Sequence, residues 1–157
     1  MTTSTPAFRF SRFGIDVWVF SDKITLGKAA AEFVAEHLRR AIAQRDETTA
    51  IFATGASQYE FLAALVKTPE IDWRKVTAFH LDEYLGLPET HPASFRHYLK
   101  ERLFNLLNFG QVHLLDGNAP DPEAECRRYE SLLRQRQVDV ACIGIGENGH
   151  LAFNDPP

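Results

Sequence analysis

Short apolar segments rich in β-branched and aromatic residues alternate with stretches of helical periodicity along the chain. Strands and helices in alternation are typical of α/β proteins, in which a helix crosses back between parallel strands. The pattern therefore predicts an α/β sandwich with a mainly parallel sheet, preceded by a loose lead-in over residues 1–10. The predicted strands lie at 15–20, 49–53, 76–81, 112–115 and 138–143.

The helix after the first predicted strand has both a start signal and an apolar face. Ser21 or Asp22 can cap its N-terminus, because a side-chain oxygen there can accept a free backbone N–H. Later in the chain, Pro92 suits the first turn of one helix, and Asp121 with Pro122 suits the start of another. Helical spacing predicts that the first helix buries Leu26, Ala30, Phe33, Val34, Leu38, Ala41 and Ile42.

Length and composition limit the classes of protein that fit this sequence. The 157 residues suit a single domain, and the net charge of −4 gives no signal for binding nucleic acid or an anionic membrane. No apolar run approaches the roughly 20 residues of a membrane span. Cys126 and Cys142 lack metal-type or redox-type spacing, which predicts reduced cysteines, no metal site and a cytoplasmic protein. Because the chain ends directly after a glycine-rich segment, we interpret 1–157 as a domain truncated at its C-terminal end.

The small-residue loop (residues 54–58) follows the second predicted strand and turns into a helix. Its small side chains would let backbone N–H groups approach a ligand, and the helix N-terminus favours an anion such as phosphate. It is not a P-loop, because the GxxxxGK[ST] pattern is absent. The alternative is a tight strand-to-helix turn capped by Ser57.

The acidic loop (residues 82–88) begins with two adjacent carboxylates, Asp82 and Glu83. It follows the third predicted strand, and ligands in open α/β sheets bind at the carboxyl ends of strands. A carboxylate held against a substrate there can remove a proton next to a carbonyl or imine. The alternative is a solvated loop without a catalytic role.

The glycine loop (residues 144–156) follows the last predicted strand, and its glycines permit unusual backbone angles and close approach to a ligand. Histidine is the residue type whose charge changes near neutral pH, and Asp155 could orient or charge His150. The alternative is a loop histidine satisfied by the backbone. The spacing also fits GxGxxG, but Pro156 follows where a dinucleotide site needs a helix. We therefore predict no cofactor.

At these loops the sequence resembles the glucosamine-6-phosphate deaminase (isomerase) family. The resemblance runs over most of residues 15–157 and implies a three-layer α/β/α, modified Rossmann-like fold. It also implies an enzyme that converts a small-molecule amino-sugar phosphate to a ketose phosphate and ammonia, and it leaves a homo-oligomer open. The resembling stretches are ATGAS at 53–57, FHLDEYLGLPETHPASF at 79–95 and GIGENGHLAFNDP at 144–156.

The resemblance also implies roles for single residues. Asp82 matches the base that moves a proton between C2 and C1 of the opened sugar, and His150 matches the histidine that assists ring opening. Tyr84 matches a tyrosine of the family's substrate site, and the alternative is that its ring only packs against neighbouring residues. Substrate or phosphate contacts are expected from Thr54, Gly55, Ala56, Ser57, Glu83, Tyr84 and Gly146.

Two departures from the family pattern flank His150. The family usually has Asp where Asn148 stands and Glu where Asp155 stands, and both belong to a carboxylate–histidine relay. Asn148 carries no negative charge and takes up no proton, and Asp155 is one methylene shorter. The resemblance therefore implies that Asn148, His150 and Asp155 act together, with a weaker ring-opening acid or a different substrate.

Two other functions compete with the deaminase. A 6-phosphogluconolactonase-like hydrolase has a related fold and a similar glycine loop, but lactonases usually show Arg where Tyr84 stands, and Ala152-Phe153-Asn154 suits the deaminase better. A non-catalytic sugar-phosphate sensor that kept the pocket is the third hypothesis, and Asn148 supports it.

Overall fold

The computed structural model describes residues 5–156, and its first element is an antiparallel hairpin. Strands β1 (Phe8–Arg12) and β2 (Ile15–Val19) pair with each other. They are joined at Phe13 and Gly14, which both have positive φ, as a tight two-residue hairpin turn requires. Two predictions are therefore wrong, because Phe8–Arg12 is a strand rather than part of a lead-in, and the segment at 15–20 does not join the parallel sheet. Residues 1–4 of the predicted lead-in lie outside the described residues.

The central sheet has four strands, and all of its pairs are parallel. Strands β3 (Thr48–Phe52), β4 (Val76–His80), β5 (Gln111–His113) and β6 (Val140–Cys142) lie in the order β5-β4-β3-β6. This confirms the predicted parallel sheet. The chain moves outward from β3 to β5 and then returns to the other side of β3, so the direction of winding reverses beside β3. Ligands of open α/β sheets bind at the carboxyl ends of strands beside such a reversal.

In residues 5–156, α1 precedes β3, and three further α-helices connect the strands of the sheet. The sequence predicted the starts of three of these helices. Of the two predicted candidates, Asp22 rather than Ser21 caps α1 (Lys23–Arg45), and Asp121 caps α4 (Pro122–Arg134) as predicted. The first-turn position predicted for Pro92 is wrong, because α3 (Phe95–Leu99) begins three residues later. Ser94 is its N-cap. Helix α2 (Tyr59–Leu65) follows a 3-10 turn at Ala56–Gln58, and α3 continues as a π-helical turn at Lys100–Phe104.

Helices cover both faces of the sheet. Helices α1, α2 and α3 contribute Leu38, Leu62 and Leu99 to a core that includes Phe52 and Ala78. Phe79 points to the opposite face, since neighbouring strand residues alternate. There it meets Tyr129 of α4, with the ring centroids 5.4 Å apart. The layers are therefore helix, sheet and helix, as expected. None of the helices within residues 5–156 combines the length and the apolar character needed to cross a membrane.

Helix α1 buries most of the predicted face, but two of its large predicted residues are exposed. Leu26 and Phe33 are exposed, whereas the small residues Gly27, Ala31 and Ala35 are buried. A Cβ added at Gly27 would lie 2.6 Å from the backbone of Glu60, so α2 packs too closely for a larger residue. Phe33 instead packs edge-on against Trp18 of the hairpin. The prediction for Leu26 and Phe33 is therefore wrong, while the other residues of the face are buried or partly buried.

Candidate functional site

The three loops meet at the carboxyl edge of the sheet and enclose a cavity of about 270 Å³. The small-residue loop follows β3, the acidic loop follows β4 and the glycine loop follows β6, and these three strands are neighbours. This confirms that the loops share one edge. Aromatic side chains and backbone complete the wall. The predicted site residues that line the cavity are Thr54, Ser57, Asp82, Tyr84, Gly146 and His150.

The small-residue loop is held open towards the cavity by contacts outside it. Gly55 has a φ of 111°, a backbone conformation that favours glycine. Its carbonyl accepts a hydrogen bond from the Tyr98 hydroxyl of α3 at 2.9 Å. Ser57 does not cap the turn, since the residue at the cap position is Gly55. In residues 5–156, the N–H groups of Gly55 and Ala56 have no hydrogen-bond acceptor, so they could serve a bound anion although neither residue lines the cavity.

Asp82 presents an unengaged carboxylate to the cavity. Its side chain is half-buried and accepts no hydrogen bond from the described part of the chain. Burial, together with the neighbouring charge of Glu83, raises the pKa of Asp82, and the charge of His150 opposes this shift. A carboxylate that is partly desolvated and free of donors is a stronger proton acceptor than a solvated one.

Glu83 does not line the cavity, which corrects the prediction that it faces the ligand. Its side chain is 1% exposed and caps α3 from outside the helix. The N–H groups of Phe95 (3.0 Å) and Arg96 (2.9 Å) and the hydroxyl of Ser94 (2.8 Å) donate to the carboxylate, as does the N–H of Tyr84 (3.0 Å). Burial alone would raise the pKa of Glu83, but these hydrogen bonds outweigh it and lower the pKa. Its geometry is that of a residue that fixes the loop.

Arg96 joins the acidic loop to the loop after β5, and sequence reasoning missed it. Its Nε donates to Glu83 at 3.1 Å, and its other nitrogens donate to Asp116 at 2.7 Å and to the Leu87 carbonyl at 3.1 Å. The guanidinium is buried. The sequence carries no local signal for this, because the three partners lie 9 to 20 residues away.

Asn148 and Asp155, the two residues that depart from the family pattern, orient the ring of His150. Its Nδ1 lies 2.6 Å from the Asn148 Oδ1 and 3.1 Å from the Asp155 Oδ1. The Asn148 amide nitrogen also donates to Asp155 at 2.9 Å, so the three side chains form a closed triangle. The Nδ1–H group of His150 donates to these oxygens. Its Nε2 is therefore the ring nitrogen that is left to contact a ligand in the cavity that His150 lines. Asn148 and Asp155 themselves do not line the cavity.

Gly146 lies against the imidazole of His150. A Cβ added at Gly146 would lie 2.3 to 2.6 Å from ring atoms, so only glycine leaves room for the ring. The backbone closes the same turn, since the Gly146 N–H donates to the His150 carbonyl at 2.9 Å. Gly149 has a φ of 86° within this turn. Residues 151–156 form a turn with an isolated bridge between Leu151 and Asn154 and contain no helix.

An aromatic wall, formed by Tyr84, Phe95 and Phe153, lines one side of the cavity. Tyr84 lies 4.9 Å from Phe95 and 5.1 Å from Phe153 between ring centroids, and the two phenylalanine rings stack at 5.8 Å. Tyr84 therefore both packs and faces the cavity. The sequence analysis identified Phe95 and Phe153 only as parts of the resembling stretches at 79–95 and 144–156. Their meeting depends on loops about 60 residues apart in sequence.

This fold and site are those of a Rossmann-like α/β protein with a ligand cavity at the carboxyl edge of its parallel sheet. A family model described as glucosamine-6-phosphate isomerases/6-phosphogluconolactonase matches residues 21–153. The chain belongs to this family, which confirms the resemblance seen in the three loops.

Several curated relatives are glucosamine-6-phosphate deaminases. One from Exiguobacterium is 50% identical over 92 residues, covering 59% of this chain and 36% of its own. One from Listeria monocytogenes is 38% identical, covering 82% of this chain and 54% of its own. Glucosamine-6-phosphate deaminase 2 of Bacillus subtilis is 39% identical, covering 83% and 53%. The chain spans about half the length, or less, of these relatives.

Solved structures of both activities share the fold. A monomeric glucosamine-6-phosphate deaminase superposes with a TM-score of 0.78 at 31% identity, over 86% of this chain and 57% of the other. A 6-phosphogluconolactonase from Plasmodium vivax gives a TM-score of 0.82 at 16% identity, over 94% and 53%. At that identity the second likeness concerns the fold alone.

Proposed function

We propose that the protein acts on an amino-sugar phosphate as a glucosamine-6-phosphate deaminase, releasing a ketose phosphate and ammonia by proton transfer between C2 and C1. The observation that carries this proposal is the pairing of an unengaged carboxylate, Asp82, with the oriented imidazole of His150 on one small cavity. The curated relatives that are deaminases support it.

In the proposed reaction His150 assists ring opening, and Asp82 then moves the proton. Asn148 and Asp155 hold Nδ1 of His150, so Nε2 is the nitrogen that can exchange a proton with the ring oxygen. In the opened sugar, Asp82 takes the C2 proton and returns it at C1. Hydrolysis of the resulting imine then yields the ketose phosphate and ammonia. The raised pKa of Asp82 suits both halves of this transfer.

The small-residue loop is proposed to hold the phosphate. Its donors are the Ser57 hydroxyl and the N–H groups of Gly55 and Ala56, for which residues 5–156 offer no acceptor. The Ser57→Ala variant should raise KM severalfold with a smaller change in kcat, because it removes a ground-state contact. Inorganic phosphate should inhibit the wild-type protein competitively and the variant more weakly. A sugar phosphate bound with its phosphate away from this loop would contradict the assignment.

An ammonia-release assay with glucosamine-6-phosphate tests the activity itself. Asp82→Asn should lower kcat by roughly 10²–10⁴-fold, the contribution of a general base, with little effect on substrate binding. Asp16→Asn is a matched control, because Asp16 is an exposed aspartate on the hairpin. Ammonia release by Asp82→Asn at the wild-type rate would remove Asp82 from the mechanism.

Hydrolysis of 6-phosphogluconolactone is the second candidate, favoured by the description of the family. Tyr84 stands against it, because lactonases usually carry Arg at this position. Lactone hydrolysis without ammonia release would replace the first proposal with this one. Binding of both sugar phosphates without turnover would instead favour a sensor.

We also propose a cytoplasmic location and leave a homo-oligomer open. Cys126 and Cys142 are both free thiols. Burial raises the pKa of Cys142 to about 12, which disfavours the thiolate form. Size-exclusion chromatography with light scattering would measure the assembly state.

A further inference from the structure

Strand β4, which leads into the loop that carries Asp82, loses its neighbour β5 before it reaches the cavity. Strand β4 pairs with β5 as far as Phe79, opposite His113, and His80 lies beyond this ladder. On the other side the support continues, because the Leu81 N–H donates to the Phe52 carbonyl of β3 at 3.0 Å. The backbone at the end of β4 therefore needs other hydrogen-bond partners on the side that faces β5.

Two side chains supply these partners. The Tyr129 hydroxyl accepts the His80 N–H at 2.9 Å and donates to the His80 carbonyl at 2.6 Å. The imidazole of His80 extends the contact, because its Nε2 accepts the Leu115 N–H at 2.7 Å. A phenol and an imidazole thus take the place of the missing backbone ladder.

This contact requires a neutral imidazole with the proton on Nδ1. His80 is 1% exposed, and its Nδ1 has no hydrogen-bond partner in the described residues. Burial lowers the pKa of His80 to about 4. The nearby charges act in opposite directions, that of Glu83 raising the pKa and that of Arg96 lowering it. Protonation of Nε2 would remove the acceptor for Leu115.

We propose that His80, together with Tyr129, is a positioning residue that aims Asp82 at the substrate. Asp82 lies two residues beyond His80 on the same strand end, so any shift of His80 moves the carboxylate. A displacement of about 1 Å at a reacting group can lower the rate on the order of 10²-fold. The predicted change in rate rests on the proposed function, whereas the positioning of the Asp82 carboxylate does not.

Variants of His80 separate positioning from stability. His80→Leu should lower kcat by roughly 30- to 100-fold, because it misplaces the reacting carboxylate of Asp82. KM should stay nearly unchanged, because the variant removes no contact with the bound substrate. His80→Gln keeps an acceptor for Leu115 and should recover most of that loss. Tyr129→Phe keeps the ring packing and should lower kcat about 10-fold. The control is His113→Leu, a histidine change on β5. The ring of His113 packs on Phe79 and forms no hydrogen bond within residues 5–156, so this variant should stay near wild type.

A second measurement does not depend on activity. The ¹³C titration of the Asp82 carboxyl should give a midpoint above that of an ordinary aspartate, and His80→Leu and Tyr129→Phe should move it towards the ordinary value as the carboxyl turns to solvent. If the wild type releases no ammonia, the proposed function fails while this titration still decides the positioning role. An unmoved midpoint in folded variants, or equal damage from His80→Gln and His80→Leu, would overturn the proposal.

Discussion

Removing the charge of Glu83 should destabilise the fold, although Glu83 is not predicted to take part in the chemistry. Its buried carboxylate accepts four hydrogen bonds from Ser94, Tyr84 and the first turn of α3, and a fifth from the Arg96 side chain. Glu83→Gln keeps one acceptor oxygen and sets an amide N–H₂ against at least two of these donors. Each hydrogen bond to a charged group contributes about 1.5–3 kcal/mol, so two lost bonds cost on the order of 4 kcal/mol.

The assay is urea denaturation followed by far-ultraviolet circular dichroism at neutral pH. Glu101→Gln is the matched control, because Glu101 is an exposed glutamate that pairs with His97 on the helix surface. Its loss should cost no more than about 0.5 kcal/mol. The pKa of Glu83 is lowered in the folded state, so its stabilisation is present above the unfolded value of 4.5 and declines as the pH falls through the folded value. The free energies of unfolding of wild type and variant should converge at acid pH. A Glu83→Gln protein as stable at neutral pH as Glu101→Gln would refute this account.

Three further predictions concern the glycine loop. Asn148→Asp should raise the pH at which kcat/KM declines, because a second carboxylate beside Nδ1 favours the protonated form of His150. Asp155→Asn should be severely damaging, since it leaves no carboxylate on that ring, and pH profiles of kcat/KM would measure both variants. If the pH limbs of Asn148→Asp are unchanged and Asp155→Asn is fully active, the relay does not operate. Gly146→Ala should lower kcat at least tenfold by displacing the ring, whereas Gly144→Ala, whose added Cβ would meet nothing closer than 3.4 Å, should be milder in the same assay.

The alternation of strands and helices and the caps at Asp22 and Asp121 could be predicted from the sequence, because each depends on residues close together in the chain. That the three loops lie at one edge was also predictable, because the strands of a parallel sheet end at the same edge. Whether they converge on one cavity depended on the strand order, which places β4, β3 and β6 side by side. The sequence could therefore put Asp82 and His150 at the same edge, and the sheet order brought them to one cavity.

Only the tertiary structure decided which way the side chains face. Asp82 and Glu83 are adjacent and chemically alike, yet one faces the cavity and the other caps α3, because α3 brings its free N–H groups to Glu83. The buried face of α1 likewise depends on how closely α2 approaches Gly27. The supports of His80 come from Leu115 and Tyr129, 35 and 49 residues away. Such contacts have no local pattern, since each one is formed only when separate elements pack together.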